Sequence, residues 1–489
     1  MDRAEGVLRA FAERTNLQLA GRGLVIEADA VQSDAVQSSA VQSTAAALRE
    51  MARGMGMHVL SGTADAGPGT FTVRLGADPH RDVMLLDGAP LPERTTAAQR
   101  VDFAHAHMTT LAAVATHVRG AGTLAGARIG VCLPLEPKTA VLALTLRDLG
   151  AHVSLYAHPD ERDQAVAEDL ARRGVPVEGP HGASADGGRA AALEFLDRDR
   201  DLLVDDGAHL IRLAHEDLPA RAGAWWGASE ETTSGIPGLQ HLALTQNLHS
   251  AVVVANDAAT KRDFDNRFGT GQSCVMAVAS LLAARGVTVR DQHALVVGFG
   301  PVGQGVAEHL RALGAEVTVA ETDPTRALYA AYCGYRVGAA AEAAAGALVV
   351  SATGRPGTLS GEVRNRAAYV AVAGGAPGEL DLTGVTVTDG PYALLPNGGV
   401  VLGPQGAVNL VAAEGNPIEI MDLSFATQLA ALAWLAGERP PAGLYELGED
   451  HVQLVARAAL ATRGLATAGP PATAMAPSHG WRFGTEAAS

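Results

Sequence analysis

The strongest constraint on this chain is a strand that runs straight into glycines. Ala294-Leu295-Val296-Val297 is a short apolar run, and Gly298-Phe299-Gly300-Pro301-Val302-Gly303 follows it without a break. Residues 306–313 then carry helical spacing, and a second strand over 317–320 ends at Glu321. A glycine turn alone says little. This one lies between strand and helix, with an acid roughly 20 residues on, as a dinucleotide-binding βαβ unit requires. The glycines permit a tight turn and let the backbone approach a pyrophosphate, whose charge meets the positive end of the helix dipole. Glu321 can accept hydrogen bonds from ribose hydroxyls and would repel a 2′-phosphate, which selects NAD over NADP. Gly298, Gly300, Gly303 and Glu321 are thus the first candidate cofactor residues.

The rest of the chain alternates in the same way. Residues 101–119 carry helical spacing, 127–133 read as a buried strand, 138–149 as a helix and 151–156 as a strand. A helix over 161–173 and a strand over 202–204 continue the series. Alternation at this spacing predicts an α/β protein with parallel sheets covered on both faces. At 489 residues two or three domains are expected. The predicted divisions are an N-terminal extension over 1–95, a substrate-binding α/β domain over 96–256, a Rossmann domain over 257–414, a return helix over 415–450 and a tail over 451–489. The Rossmann domain is therefore expected as an insertion into a second α/β domain.

Within the extension, Ala30-Val31-Gln32-Ser33 recurs at 35–38 and 40–43. Five is neither a helical nor a strand period, so the repeat predicts a surface segment, while 71–75 and 83–86 read as strands. The tail from Ala468 is rich in Pro, Ala, Ser and Gly and is expected to be mobile.

Composition narrows the partners. A net charge of -16, with no dense basic run, argues against a nucleic-acid polymer. Cys132, Cys274 and Cys333 are too scattered for a disulfide scaffold or a metal cluster, so no metal is expected and a reducing compartment is. The chain opens polar and its uninterrupted apolar runs are short, which predicts a cytoplasmic protein with no membrane span.

Two further segments carry chemistry. Gly227-Ala228-Ser229-Glu230-Glu231-Thr232-Thr233-Ser234-Gly235 precedes Asn256-Asp257-Ala258-Ala259-Thr260-Lys261-Arg262-Asp263-Phe264-Asp265-Asn266. Lys261 and Asp265, four apart, share a face if the segment is helical. Such a pair is ordinarily a surface ion pair worth under about 1 kcal/mol. Together with the glycine turn and Glu321-Thr322-Asp323-Pro324, however, this ordered series resembles the S-adenosylhomocysteine hydrolase family from about residue 100 to about 430. Val204-Asp205-Asp206-Gly207 and Val408-Asn409-Leu410 match more loosely.

The resemblance implies tightly held NAD and transient oxidation of a nucleoside ribose. It puts NAD contacts on Thr232, Thr233, Ser234, Asn266, Glu321 and Asn409. It puts the ribose 2′ and 3′ hydroxyls at Glu231, Lys261 and Asp265, with Asn256 in the same pocket, and acid–base work near C4′ and C5′ on Asp206. A lysine of depressed pKa could take the O3′ proton, with a carboxylate orienting the hydroxyl. Once C3′ is a ketone, C4′–H is acidic and a C5′ group can leave. The resemblance further implies a homo-oligomer, a dimer or tetramer, acting on a small nucleoside.

Departures from the family pattern fall elsewhere. Pro134 stands where the family has a catalytic-site histidine, and the nearby substrate positions read Glu136, Lys138 and Thr139. A histidine near the C5′ substituent falls on Gly375, and the Gly-His-Pro that helps hold adenine reads Gly415-Asn416-Pro417. Gln304 replaces a lysine, Thr270 a cysteine, and 478–484 lack the family's Lys- and Tyr-containing arm. Groups expected at C2′, C3′ and NAD are kept, while groups expected at the base and C5′ are changed. A nucleoside dehydratase giving a 4′,5′-unsaturated sugar of the angustmycin type is the leading expectation. A divergent thioether-nucleoside hydrolase and a non-catalytic NAD-binding regulator are the alternatives.

Overall fold

A computed structural model describes residues 2–28, 35–157, 161–179, 185–374, 376, 378–388 and 390–469. Three sheets organise them. The Rossmann expectation holds. His293–Val297, Glu316–Ala320 and Arg336–Val337 lie to one side, and Leu348–Ser351, Tyr369–Val372 and Val400–Leu402 to the other, all parallel. In chain order this is 3-2-1-4-5-6, the doubly wound arrangement. Tyr392–Leu394 and Thr386–Val387 extend it as an antiparallel edge.

The second sheet repeats the device. Arg128–Cys132 is flanked by His152–Tyr156 and then Val177–Glu178 on one side, and by Leu202–Asp205, Gly227–Glu230, Ala251–Val254 and Gly443–Tyr445 on the other. Every pairing is parallel, so winding again reverses between the first and fourth strands. In both sheets the central strands are buried, as parallel strands covered on two faces must be, and most are apolar; Gly227–Glu230 buries Ser229 and Glu230 as well.

Several boundaries differ from expectation. Residues 101–119 are not one helix: Ala97–His107 and Thr109–Ala121 break at Met108. Asp422 caps the second helix, accepting from the N–H groups of Thr110 and Leu111 at 2.9 and 2.7 Å. Asp422 belongs to Ile418–Glu438, a helix of 21 residues, long and apolar enough by composition to cross a membrane. Asp422, Ser424, Thr427 and Gln428 interrupt its apolar run in the sequence. In the structure 78% of its most apolar window is buried inside the protein, as a core helix.

The start of the expected tail is also ordered: Glu449–Thr462 is a helix that buries Val452, Val455 and Ala459 against the preceding core helices. Residues 478–484 and Gly375 lie outside the described residues, as does the first repeat copy, 30–33. The second and third copies fall in a helix, Ala35–Gly54, rather than a surface segment without period. The reason is that helical spacing is supplied downstream. Val41, Ala45, Leu48 and Ala52 recur every three or four positions and are buried, so the repeat only begins a stripe that later residues define.

The extension forms its own sheet, with Gly23–Ala28 between His58–Val59 and Phe71–Leu75 in parallel, then Val83–Leu86 and Ala89–Pro90 antiparallel. Its core is continuous with that of the rest of the molecule.

Candidate active site

The carboxyl ends of the second sheet gather most of the residues singled out above. Asp205 ends one strand and Asp206 follows it, Glu230 ends the next and Glu231 follows it, and Asn256 lies just past the third. This is where open α/β sheets bind ligands, at the point where the winding reverses. Lys261 closes the group from a short helix, Ala259–Arg262, which gives way to a wide π-helical turn over Asp265–Gly269. Its ammonium donates to Asp265 Oδ2 at 2.8 Å, Asn256 Oδ1 at 3.0 Å and Asn266 Oδ1 at 3.3 Å. Thr233 Oγ1 donates to Asn256 Oδ1 at 3.1 Å, and Asn266 Nδ2 donates to Thr233 Oγ1 at 3.4 Å.

The pair is therefore no surface ion pair, since Lys261 is only 1% exposed. Nor is its pKa depressed, as the sequence reading expected. Burial, the largest influence, pulls it down, but the charges of Asp265, Glu231 and Asp206 outweigh burial and hold it above the ordinary lysine value.

The carboxylates bear the opposite cost. Burial pushes Glu231 up to about 7, against the lowering effect of Lys261 and a hydrogen bond from Gln428. Gln428 Nε2 donates to Glu231 Oε2 at 2.5 Å, while Glu231 Oε1 is buried with no partner. An unpartnered buried carboxylate oxygen is costly, and a ligand hydroxyl is the kind of donor that would satisfy it. Burial also raises Asp206, with Thr232 and Lys261 lowering it. Asp205 rises to about 7 for the same reason. Glu230 is raised well above its usual range, by burial first and by Asp205 second.

Glu230 was not singled out as a site residue, yet it organises the loop. It accepts from the backbone N–H groups of Gly207, Ala208 and Thr232, and from Thr232 Oγ1 at 2.7 Å. Thr232 Oγ1 in turn lies 3.2 Å from Ser234 Oγ. Gln428 was missed because its helix reads as apolar; a lone amide inside an Ala/Leu run was the available signal.

The remaining candidates divide. Asn416 turns into the cluster: its Nδ2 donates to Asp265 Oδ1 at 2.6 Å and Thr270 Oγ1 at 3.0 Å. Its Oδ1 accepts from Ser273 Oγ at 2.9 Å and Asn409 Nδ2 at 3.0 Å. Asn409 is thus tied to Asn416 and Ser273. Glu136, Lys138 and Thr139 form a separate group after the first strand. Glu136 caps the helix Pro137–Asp148 through the N–H groups of Lys138 and Thr139. Lys138 Nζ lies 2.7 Å from Glu136 Oε2 and donates to Glu414 O at 2.5 Å. Thr139 Oγ1 donates to Pro134 O at 2.7 Å.

The glycine turn fits a dinucleotide. Gly298 has φ +91°, and a Cβ there would lie 2.9 Å from Thr353 Cγ2. A Cβ on Gly303 would lie 2.0 Å from Gly298 O, whereas Gly300 faces space with nothing nearer than 3.8 Å. The helix Pro301–Ala312 starts there, with its free N–H groups at the turn. Glu321 accepts from the N–H groups of Phe299, Thr322 and Asp323 at 2.7, 2.6 and 2.9 Å. Burial would raise its pKa, but those three bonds together bring it below the ordinary value. Gln304, in place of the family's lysine, donates to Phe299 O at 3.1 Å. The turn and the lysine cluster are mechanically joined: a Cβ on Gly305 would meet Arg267 O at 1.9 Å, so the Rossmann helix packs directly on the Asp265–Gly269 backbone.

Comparison with known proteins agrees. Residues 91–223 match the family model "S-adenosyl-L-homocysteine hydrolase", and 266–391 match "S-adenosyl-L-homocysteine hydrolase, NAD binding domain". An adenosylhomocysteinase of Aeropyrum pernix is 35% identical over 385 residues, covering 75% of this chain and 92% of that protein. An S-inosyl-L-homocysteine hydrolase of Methanopyrus kandleri is 34% identical over 386 residues, covering 75% and 90%. An adenosylhomocysteinase of Archaeoglobus fulgidus is 33% identical over 386 residues, covering 75% and 94%. NAD is the cofactor, and the space at the glycine turn beside Glu321 fits it. The chain is an NAD-dependent enzyme of the S-adenosyl-L-homocysteine hydrolase family.

Proposed function

We propose that this enzyme oxidises C3′ of a nucleoside, expels the C5′ hydroxyl as water and then reduces C3′ again, leaving a 4′,5′-unsaturated nucleoside. The observation that carries the proposal is a contrast within one pocket. Lys261, Asp265, Asn256 and Glu231 form a closed buried set with one unpartnered oxygen, Glu231 Oε1. At the positions that differ from the family, Pro134 offers no proton donor, and the polar atoms of Lys138 and Asn416 bond within the protein.

NAD supplies the acceptor, and later the donor, of the C3′ hydride. Glu231 and Asp265 bind and orient the ribose hydroxyls. Lys261 rests as the ammonium, so its proton has to move before it can accept one from O3′. Glu231, near 7, exchanges protons at neutral pH and stands in the same field. With C3′ a ketone, Asp206 removes the C4′ proton and delivers it to the departing C5′ oxygen, which leaves as water. As C3′ is reduced again, Lys261 returns a proton to O3′, and the net change is the loss of one water. Thr232, Thr233, Ser234, Asn266 and Asn409 would contact NAD. The enzyme works in the cytoplasm as a homo-oligomer.

A second reading, hydrolysis of a thioether nucleoside, is favoured by the names of the relatives. Mass spectrometry separates the two. The NAD-loaded enzyme is incubated with adenosine, inosine and psicofuranosyl adenine, and separately with S-adenosyl- and S-inosylhomocysteine. A product lighter by one water from a hydroxy nucleoside is expected. Free homocysteine with no dehydrated nucleoside would replace the proposal by the second reading.

A further inference from the structure

The first 90 residues precede both family matches, and no role in the site is assigned to them. Yet they reach it. The helix Arg3–Thr15 ends at Asn16, whose φ and ψ of 51° and 35° are left-handed, a conformation that Asn tolerates better than most residues. That turn sends residues 16–22 across the seam between the Rossmann domain and the return helix. Asn16 O accepts from Ile418 N at 2.8 Å, and its Nδ2 lies 3.2 Å from Glu414 O and 3.4 Å from Asn416 O. Gln18 N donates to Glu419 Oε2 at 2.8 Å, and Arg22 pairs with the same carboxylate.

On the other side, Gln272 is held at both ends. Its Nε2 donates to Leu17 O at 3.0 Å and its Oε1 accepts from Leu19 N at 2.7 Å. Gln272 lies on the helix Thr270–Ala283, between Thr270 and Ser273. Those two hydroxyls are the ones that hold the Asn416 amide, with Asn416 Nδ2 aimed at Asp265 and Asp265 bonded to Lys261.

We infer that residues 16–22 are a built-in positioning element of the catalytic centre, with Asn16 a positioning residue that acts through Asn416 on the Asp265–Lys261 pair. The loop grips the backbone that carries Asn416 and also the helix turn that orients its amide. Both are needed, because an amide fixed at one end only could swing away from Asp265. Residues in one hydrogen-bonded chain couple, whereas independent contributions to folding add. The inference rests on Lys261 and Asp265 forming the reactive centre proposed above.

A double-mutant cycle tests it in the full-length, NAD-loaded enzyme. Asn16→Gly keeps the left-handed turn and removes the side-chain bonds. The expected result is a fall in kcat of roughly 10-fold, with KM and NAD content near wild type. In an Asn416→Ala background the same change should cost nothing further. Equal fold-losses in both backgrounds, or an unchanged kcat, would overturn the inference. Asn16→Asp, which tolerates the same backbone, serves if the glycine variant does not fold. Hydrogen exchange gives a readout independent of turnover: Asn16→Gly should speed exchange over 261–266 as well as 414–419. Faster exchange at 414–419 alone would show a merely local tether and overturn it. If the wild type turns over no nucleoside, the proposed function fails, and the exchange result alone decides this inference.

Discussion

The two large sheets share a strand order and differ in what they put at the same place. In both, the winding reverses after the third strand so that the fourth lies beside the first, and the crevice at the carboxyl ends is the ligand position. The Rossmann sheet furnishes it with backbone: three glycines, a helix start, and Glu321 stabilised by three N–H groups. The substrate sheet furnishes it with buried charge: Asp206 and Glu231, which follow neighbouring strands, act with Asp265 on one lysine. Two glutamates at strand ends are accordingly shifted in opposite directions, Glu321 down and Glu231 up to about 7. The fold supplies a location twice, and side chains decide whether it binds a phosphate or moves protons.

The contrast is broken most forcefully at Lys261. Lys261→Met should lower kcat by about 10³-fold, the range for a lost acid–base group, while NAD released on denaturation stays at wild-type level. It should also cost stability, about 3–5 kcal/mol, because Asp265 is left as a buried charge without its partner. Loss of NAD with the lysine would show that the two crevices are not separable. The reciprocal change is Gly303→Ala, whose added carbon would sit 2.0 Å from Gly298 O. The turn must open, and NAD affinity should fall about 10-fold or more, about 1.4 kcal/mol, while kcat at saturating NAD changes little. Titrating the apoenzyme with NAD reads both quantities.

The same division explains what could be seen in the sequence. Backbone-driven features were legible, because glycine position, strand period and helix spacing are local: the strand–glycine-turn–helix unit that ends at Glu321, and the strands at 128–132, 152–156 and 202–205, were read from the sequence, while the remaining strands of both sheets were not. The Lys261–Asp265 pair was legible only through resemblance, since four-residue spacing alone predicts a solvated pair. Its raised pKa was not legible, because it depends on carboxylates that arrive from other strands. Gln428 and Ser273 reach the cluster from helices that read as plain core; a lone amide in such a helix signals a polar partner but not which one, here a residue 197 positions away. The appended extension was read as separate for the same reason. Its bonds to Gln272 and 414–419 are all long-range.

The two glutamates offer the finest test of the comparison, through the pH dependence of stability. A carboxyl whose folded pKa is raised keeps its proton in the folded state after the unfolded chain has lost it. Folding then weakens as pH rises from about 4.5, and the loss is complete above the folded value. For Glu231 the window runs from about 4.5 to about 7, worth at most about 3 kcal/mol. Glu231→Gln keeps the shape without the titration, so its stability relative to wild type should improve between pH 5 and pH 8 in urea denaturation. Glu321 has the opposite sign. Its lowered pKa contributes stability above the unfolded value and loses it as pH falls through the folded one. Glu321→Gln should therefore be less stable than wild type at pH 8, with the gap closing under acid, and by a smaller amount because this side chain is only part-buried. Parallel pH profiles for the two variants would mean that both crevices are solvated alike, and the distinction between a backbone-built and a charge-built site would collapse.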